Sequence, residues 1–103
     1  MKLKIDIPTR VDNGMRVLSN HLPEDWRDRI DCDKLDVGDV KNCPLGQLFG
    51  GYFGGTRALQ FDLESEIVCG FEANAASEGT REEMLEEYEA LTKEWKRQLV
   101  GVS

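Results

Sequence analysis

The chain has 103 residues, of which 40% are apolar and 32% charged, and carries a formal net charge of -7. These proportions predict one globular domain over residues 1–103 rather than a disordered chain, and no apolar run approaches the roughly 20 residues of a membrane span. The acidic balance argues against direct nucleic-acid binding, which needs Lys and Arg gathered on one face.

At the N-terminus, Lys2-Leu3-Lys4-Ile5-Asp6 alternates polar and apolar residues, so residues 1–10 read as an arm or short strand that Pro8 ends. The same stretch is too charged for a secretory leader. Asp12 is a candidate N-cap for a helix reaching Leu22, with Val11, Met15, Leu18 and Leu22 on one face and Gly14 weakening it slightly. Pro23 breaks that helix and opens the next. There, Glu24 and Asp25 suit the positive helix end, and Trp26 and Ile30 point to the core together.

Residues 31–42 read as a polar connector anchored by Leu35, Val37 and Val40, with a turn at Gly38-Asp39. Asn42 is a candidate cap for the segment from Cys43 to Leu59, which Pro44 begins. In that segment Leu45, Leu48, Phe49, Tyr52, Phe53, Thr56 and Leu59 step by three and four, the period of an amphipathic helix. It also holds Gly46, Gly50, Gly51, Gly54 and Gly55. Each interior glycine costs a helix about 1 kcal/mol relative to alanine, so the expectation is a buried central helix whose glycine ridge admits the helix carrying Tyr88 and Trp95. Gln47 sits inside this apolar pattern and needs hydrogen-bond partners, which the connector backbone near Leu35–Val40 can supply.

Asp62 is placed to cap a short helix that ends near Cys69, with Gly70 taking positive φ and Phe71 anchoring the chain. Residues 72–79 read as a loop. Thr80 and Glu83 form a capping box for a last helix over about 80–99. Met84, Tyr88, Leu91, Trp95 and Leu99 make its buried stripe, and acids at its start with bases at its end complement the helix dipole.

Little in this pattern supports catalysis. The stretch is glycine-rich but has neither phosphate-loop spacing nor a strand leading into it. Cys32, Cys43, Cys69 and His21 lack the paired spacing of a zinc site, so no metal or cofactor is expected. Three irregularly spaced cysteines fit reduced thiols in a cytoplasm better than a disulfide scaffold. Residues 62–92 hold ten acids against the single base Arg81, a solvated face or one offered to a basic partner.

The order Leu22-Pro23, Trp26, Arg29-Ile30-Asp31, Leu35-Asp36, Cys43-x-Leu45-Gly46-Gln47-Leu48-x-Gly50-x-Tyr52, Gly70-Phe71, Tyr88, Leu91-Thr92 and Trp95 resembles a group of small proteins of actinobacteria and their phages. They share a C-x-LGQ-x-x-G-x-Y core, a later G-F-[DE] and a terminal Y-x-x-L-T-x-x-W helix. The resemblance spans about residues 11–99. This chain departs from it at Pro44, at Gly51, Gly54 and Gly55, and at Leu59-Gln60-Phe61, where the group often has Leu-Gly-Leu. It implies a small cytoplasmic accessory protein, and the group brings no established activity.

The expected fold is therefore all-α, four to five helices around the glycine-rich one, with a small α+β domain using residues 2–6 as the alternative. The expected structural positions are Cys43, Leu45, Gly46, Gly50, Tyr52, Gly54, Gly70, Tyr88 and Trp95. The expected function is non-enzymatic binding of another protein, host or phage, with Gln47, Arg57, Glu82, Glu86 and Glu89 as contact candidates and a homodimer left open. The alternatives are an acidic mimic of nucleic acid that inhibits a nucleic-acid-binding protein, and a thiol or metal enzyme built on Cys43, His21 and nearby acids.

Overall fold

A computed structural model describes residues 5–74 and 79–100. Among them the chain forms α1 (Ile7–His21), a 3-10 helix (Glu24–Arg29), α2 (Pro44–Phe49), α3 (Tyr52–Leu59), α4 (Leu63–Val68) and α5 (Arg81–Val100). The class is all-α, and no strand occurs among the described residues. Of the alternative strand at 2–6, residues 2–4 lie outside the described residues, as do 75–78 of the loop read at 72–79. Ile5 and Asp6 lead directly into α1.

The first helix starts earlier than its sequence suggested. Asp6 is the N-cap, its carboxylate accepting the Thr9 N–H at 3.1 Å, and Pro8 sits in the first turn. A proline there forfeits only an N–H that has no helical partner anyway. Pro8 thus opens α1 rather than ending an arm, and Asp12 is an interior residue. The shift draws Arg10 into the helix, where it is only 2% exposed. After Pro23 the expected α-helix is a 3-10 turn, yet Trp26 and Ile30 are both buried as anticipated.

The largest departure lies in the glycine-rich segment. Gly50 adopts φ 81° and ends α2, and α3 starts two residues later. One continuous helix becomes a tight pair, α2 packed against α3. No glycine ridge survives the break. A Cβ at Gly46 would lie 2.4 Å from the Val40 carbonyl oxygen, so this glycine admits the connector. At Gly55 it would lie 2.8 Å from Leu45 Cβ, so this one admits α2. The N-cap of α2 is Cys43, whose Sγ accepts the Gly46 N–H at 3.2 Å, rather than Asn42. The close approach to the Trp95 helix belongs instead to Gly14 of α1. There a Cβ would meet the Cys69 carbonyl oxygen at 2.2 Å and Trp95 Cζ2 at 2.8 Å.

Three further local expectations hold. Asp62 accepts the Ser65 N–H at 2.8 Å to cap α4. Gly70 has φ 74°, and the Phe71 N–H closes the turn onto the Glu66 carbonyl at 2.9 Å, a left-handed helix stop. The capping box of α5 is complete in both directions, Glu83 N–H to Thr80 Oγ1 at 3.1 Å and Thr80 N–H to Glu83 Oε1 at 3.0 Å.

One hydrophobic cluster joins these elements, from Val11, Met15 and Leu18 of α1 through Leu45 and Leu48 to Leu91 and Trp95 of α5. Phe71 stacks on Trp95 with centroids 5.3 Å apart. The Trp95 indole N–H donates to the Gly70 carbonyl at 2.8 Å, which satisfies its one polar atom inside the core. Arg10 fastens the same corner: Nε donates to the Ile67 carbonyl at 2.9 Å, and Nη2 donates to the Glu72 carbonyl and to Glu87 Oε2, both at 2.8 Å. A buried guanidinium needs such partners to offset its lost hydration.

Candidate functional site

The connector is held rigidly enough to form one wall of a cleft. Asp36 Oδ1 accepts the Gly38 N–H at 2.9 Å, and Asp39 Oδ1 accepts the Lys41 N–H at 2.8 Å, side-chain turns that short acids favour. The Val37 N–H donates to Thr92 Oγ1 at 2.9 Å, which pins the connector to α5. The Tyr52 N–H donates to the Val40 carbonyl at 2.9 Å, which pins it to α3. Leu35 and Val37 are buried here as expected. Val40 is not: its carbonyl turns inward and its side chain stays 51% exposed.

Between this wall, α3, α4 and Tyr88 of α5 lies a cleft of about 290 Å³. Its mouth carries Val40, Phe53 and Leu63, which are 51%, 69% and 46% exposed. They come from three separate elements, and together they form an apolar rim on the surface. Phe53 was read as part of a buried stripe, but the break at Gly50 rotates α3 and turns it outward, edge-on against Tyr52 with centroids 5.4 Å apart.

The floor is polar. The Tyr52 hydroxyl donates to Glu66 Oε1, and the Tyr88 hydroxyl donates to Glu72 Oε1. Burial, then the neighbouring carboxylate, raises both phenols well above their ordinary range, so both remain protonated donors. Burial also raises the Glu66 carboxyl; the Tyr52 hydrogen bond opposes this, and the Glu72 charge adds to it. Among the described residues no Lys, Arg or His lines the cleft. Arg10 reaches the main chain of Glu72, not its carboxylate. Two carboxylates therefore line the same cleft, with no cationic side chain among its described lining residues.

The contact candidates read from the sequence fall into two groups. Gln47 is consumed internally: Oε1 accepts the Asp31 N–H at 2.6 Å, and Nε2 donates to the carbonyls of Asn42 at 2.9 Å and Asp31 at 3.2 Å. It clasps the two ends of the connector rather than its middle. Arg57, Glu82, Glu86 and Glu89 are exposed, Arg57 on α3 and the three acids on α5. Glu89 lies 3.4 Å from Lys93. None of these lines the Val40–Phe53–Leu63 cleft, although Glu89 borders a broader groove between the connector and α5.

Comparison with protein-family models, curated proteins and solved structures returns no match to this chain. The chemistry must be read from the residues alone. Cys43 is buried, and desolvation pushes its thiol up to about 11, the opposite of an activated nucleophile. Cys69 is buried and raised in the same direction. His21 is exposed at the end of α1, with Nδ1 3.0 Å from the Val17 carbonyl oxygen of its own helix. Among the described residues no three His, Cys, Asp or Glu side chains converge to hold a metal ion. Among them, too, no helix is long and apolar enough to cross a membrane.

The sequence reading missed the cleft because its parts carry ordinary local signals. Tyr52 and Tyr88 carry the signal of a core stripe, and Glu66 and Glu72 belong to an acidic stretch that reads as solvated or offered to a basic partner. The available signal is the Gly50-Gly51 pair, since adjacent glycines favour turns, although the like pair Gly54-Gly55 stays inside α3, so the sequence alone does not say which pair breaks the helix.

Proposed function

We propose that this protein is a small non-enzymatic accessory protein that acts by binding another protein. The observation that carries the reading is the rim formed by Val40, Phe53 and Leu63, three large apolar side chains left substantially exposed around one cleft. Exposed apolar residues scattered singly are ordinary, whereas a group of them rimmed by polar residues marks interaction surfaces. Raised cysteine pKa values and the outlying position of His21 favour binding over thiol catalysis. The resemblance to small actinobacterial and phage proteins supports a cytoplasmic setting, in the host where the chain is phage-encoded.

A second reading rests on the exposed Glu82, Glu86 and Glu89 of α5. Such a face can occupy a nucleic-acid-binding site on a basic protein. One experiment separates the two. The tagged protein is used to recover partners from a lysate of its source organism, washed at low and high salt, and the recovered protein is purified and titrated against it. A stoichiometric partner retained at high salt and lost on Phe53→Lys supports the cleft-centred reading. A partner lost at high salt, displaced by DNA or RNA, and released by charge reversal at the α5 acids supports the mimic. Absence of any stoichiometric complex overturns both.

A further inference from the structure

Resting on the protein-binding reading, we infer that the cleft between the connector, α3 and α4 takes one Arg or Lys side chain of the partner protein, seated between Glu66 and Glu72 with its apolar neighbours on Val40, Phe53 and Leu63.

The charge pattern selects the occupant. Glu66 and Glu72 each accept one tyrosine hydroxyl through Oε1, and an ionised carboxylate offers about four acceptor sites. Glu72 Oε1 also takes the Ala73 N–H at 2.9 Å, so its remaining capacity lies on Oε2. Among the described residues no cationic side chain lines the cleft, and the chain as a whole carries -7. An anionic or neutral occupant would leave the two carboxylates uncompensated as the rim closed over them. A cation supplies the missing partner in charge-assisted hydrogen bonds, and a guanidinium can reach two acceptors at once. The tyrosines hold the acids in place, since Tyr52 is itself fixed at Val40 through its backbone N–H.

The apolar rim selects a protein segment over a free ion. Among the described residues no third donor joins Glu66 and Glu72 to make a metal site. Val40, Phe53 and Leu63 would be wasted on a small inorganic cation but match side chains that flank a basic residue in a peptide. The aliphatic stem of Arg or Lys can also lie along such a surface while its head reaches the acids.

The test is a titration of the isotope-labelled protein with acetyl-Leu-Arg-Leu-amide, followed by amide chemical shifts, with acetyl-Leu-Glu-Leu-amide at equal ionic strength as control. The expected result is saturable shifts centred on Tyr52, Phe53, Glu66 and Glu72 with the Arg peptide and none with the Glu peptide. Glu66→Gln combined with Glu72→Gln keeps both oxygen acceptors for the tyrosines and should weaken binding about tenfold or more. Phe53→Lys, at a surface position, places a cation beside the same acids and should weaken binding without touching them. Equal shifts with both peptides, shifts confined to Glu82, Glu86 and Glu89, or full affinity in both variants would overturn the assignment. Failure here, with a purified partner still bound and then released by charge reversal on α5, would remove the cleft while leaving the protein-binding reading standing. Success here, with no stoichiometric partner in the lysate, would do the reverse.

Discussion

Gly14→Ala should destabilise the protein, although the same change in an ordinary helix stabilises it. Alanine in a helix interior is worth about 1 kcal/mol over glycine. At Gly14 the added methyl would sit 2.2 Å from the Cys69 carbonyl oxygen and within 2.9 Å of two Trp95 ring atoms. The first of these is backbone and cannot swing aside. The second belongs to a ring stacked on Phe71 and tethered to Gly70, so it cannot move cheaply either. Overpacking a tight core costs about 1–3 kcal/mol, and these contacts belong at the upper end. Subtracting the propensity gain leaves a net loss of about 2 kcal/mol. Gly54→Ala is the internal control. Its methyl would find only the Phe49 carbonyl oxygen, at 3.4 Å, and it lies exposed in α3, so it should gain about 0.5–1 kcal/mol. Urea denaturation at unchanged m-value should move the two midpoints in opposite directions. Gly14→Ala at or above the wild-type midpoint would refute the claim that this glycine is the point where α1 meets the α4 terminus and α5.

Four further outcomes follow from the same geometry. Arg10→Ala removes a guanidinium bonded to two carbonyls and to Glu87, and should cost about 3–5 kcal/mol in a urea or thermal melt, as loss of one partner in a buried ion pair does. Thr80→Ala deletes one arm of the α5 capping box and should cost about 1 kcal/mol by the same assay. In a thiol-reagent assay on the folded protein, half-buried Cys32 should react first. Buried Cys43 and Cys69, whose thiols are raised by desolvation, should react at full rate only in denaturant. Hydrogen bonds from the residues they cap lower the carboxyls of Asp6 and Asp62, and bonds within its own turn lower that of Asp39. Their contribution is therefore present above about pH 4 and lost as the pH falls through their folded values. Glu66 is raised, so in the window from its ordinary value near 4.3 up to its folded value the unfolded chain holds fewer protons, and stability falls as pH rises. A melting-temperature profile from pH 3 to 8 should show Glu66→Gln losing that decline while keeping the acid-side loss, and an unchanged profile would contradict the placement of Glu66 in a desolvated cleft.

What the sequence made legible was local, and what it hid was the consequence of one break. The Thr80–Glu83 box, the Asp62 cap and the Gly70 stop each depend on residues within a few positions of one another, and each stands where it was read. The periodicity of Cys43–Leu59 was also real, because Leu45, Leu48, Tyr52 and Leu59 are all buried. Periodicity, however, reports which residues turn inward and not whether the helix between them is continuous. A pair of short helices folded on each other buries nearly the same set. Phe53 is the residue that tells the two arrangements apart, and it lies in solvent. The same reasoning explains Arg10. A cation between Pro8 and Val11 reads as surface until Asp6, not Asp12, is known to start the helix, and its three partners lie 57 to 77 residues away. The cleft required both facts of this kind. Tyr52 meets Glu66 across fourteen residues and Tyr88 meets Glu72 across sixteen, and the first meeting spans the left-handed turn at Gln60, φ 57°, that ends α3 before α4. A glycine that permits positive φ therefore does more than relieve a helix here. The break at Gly50 leaves Phe53 of the apolar stripe at the mouth of a pocket whose acids, Glu66 and Glu72, come from later elements, a combination that no single segment of the chain contains.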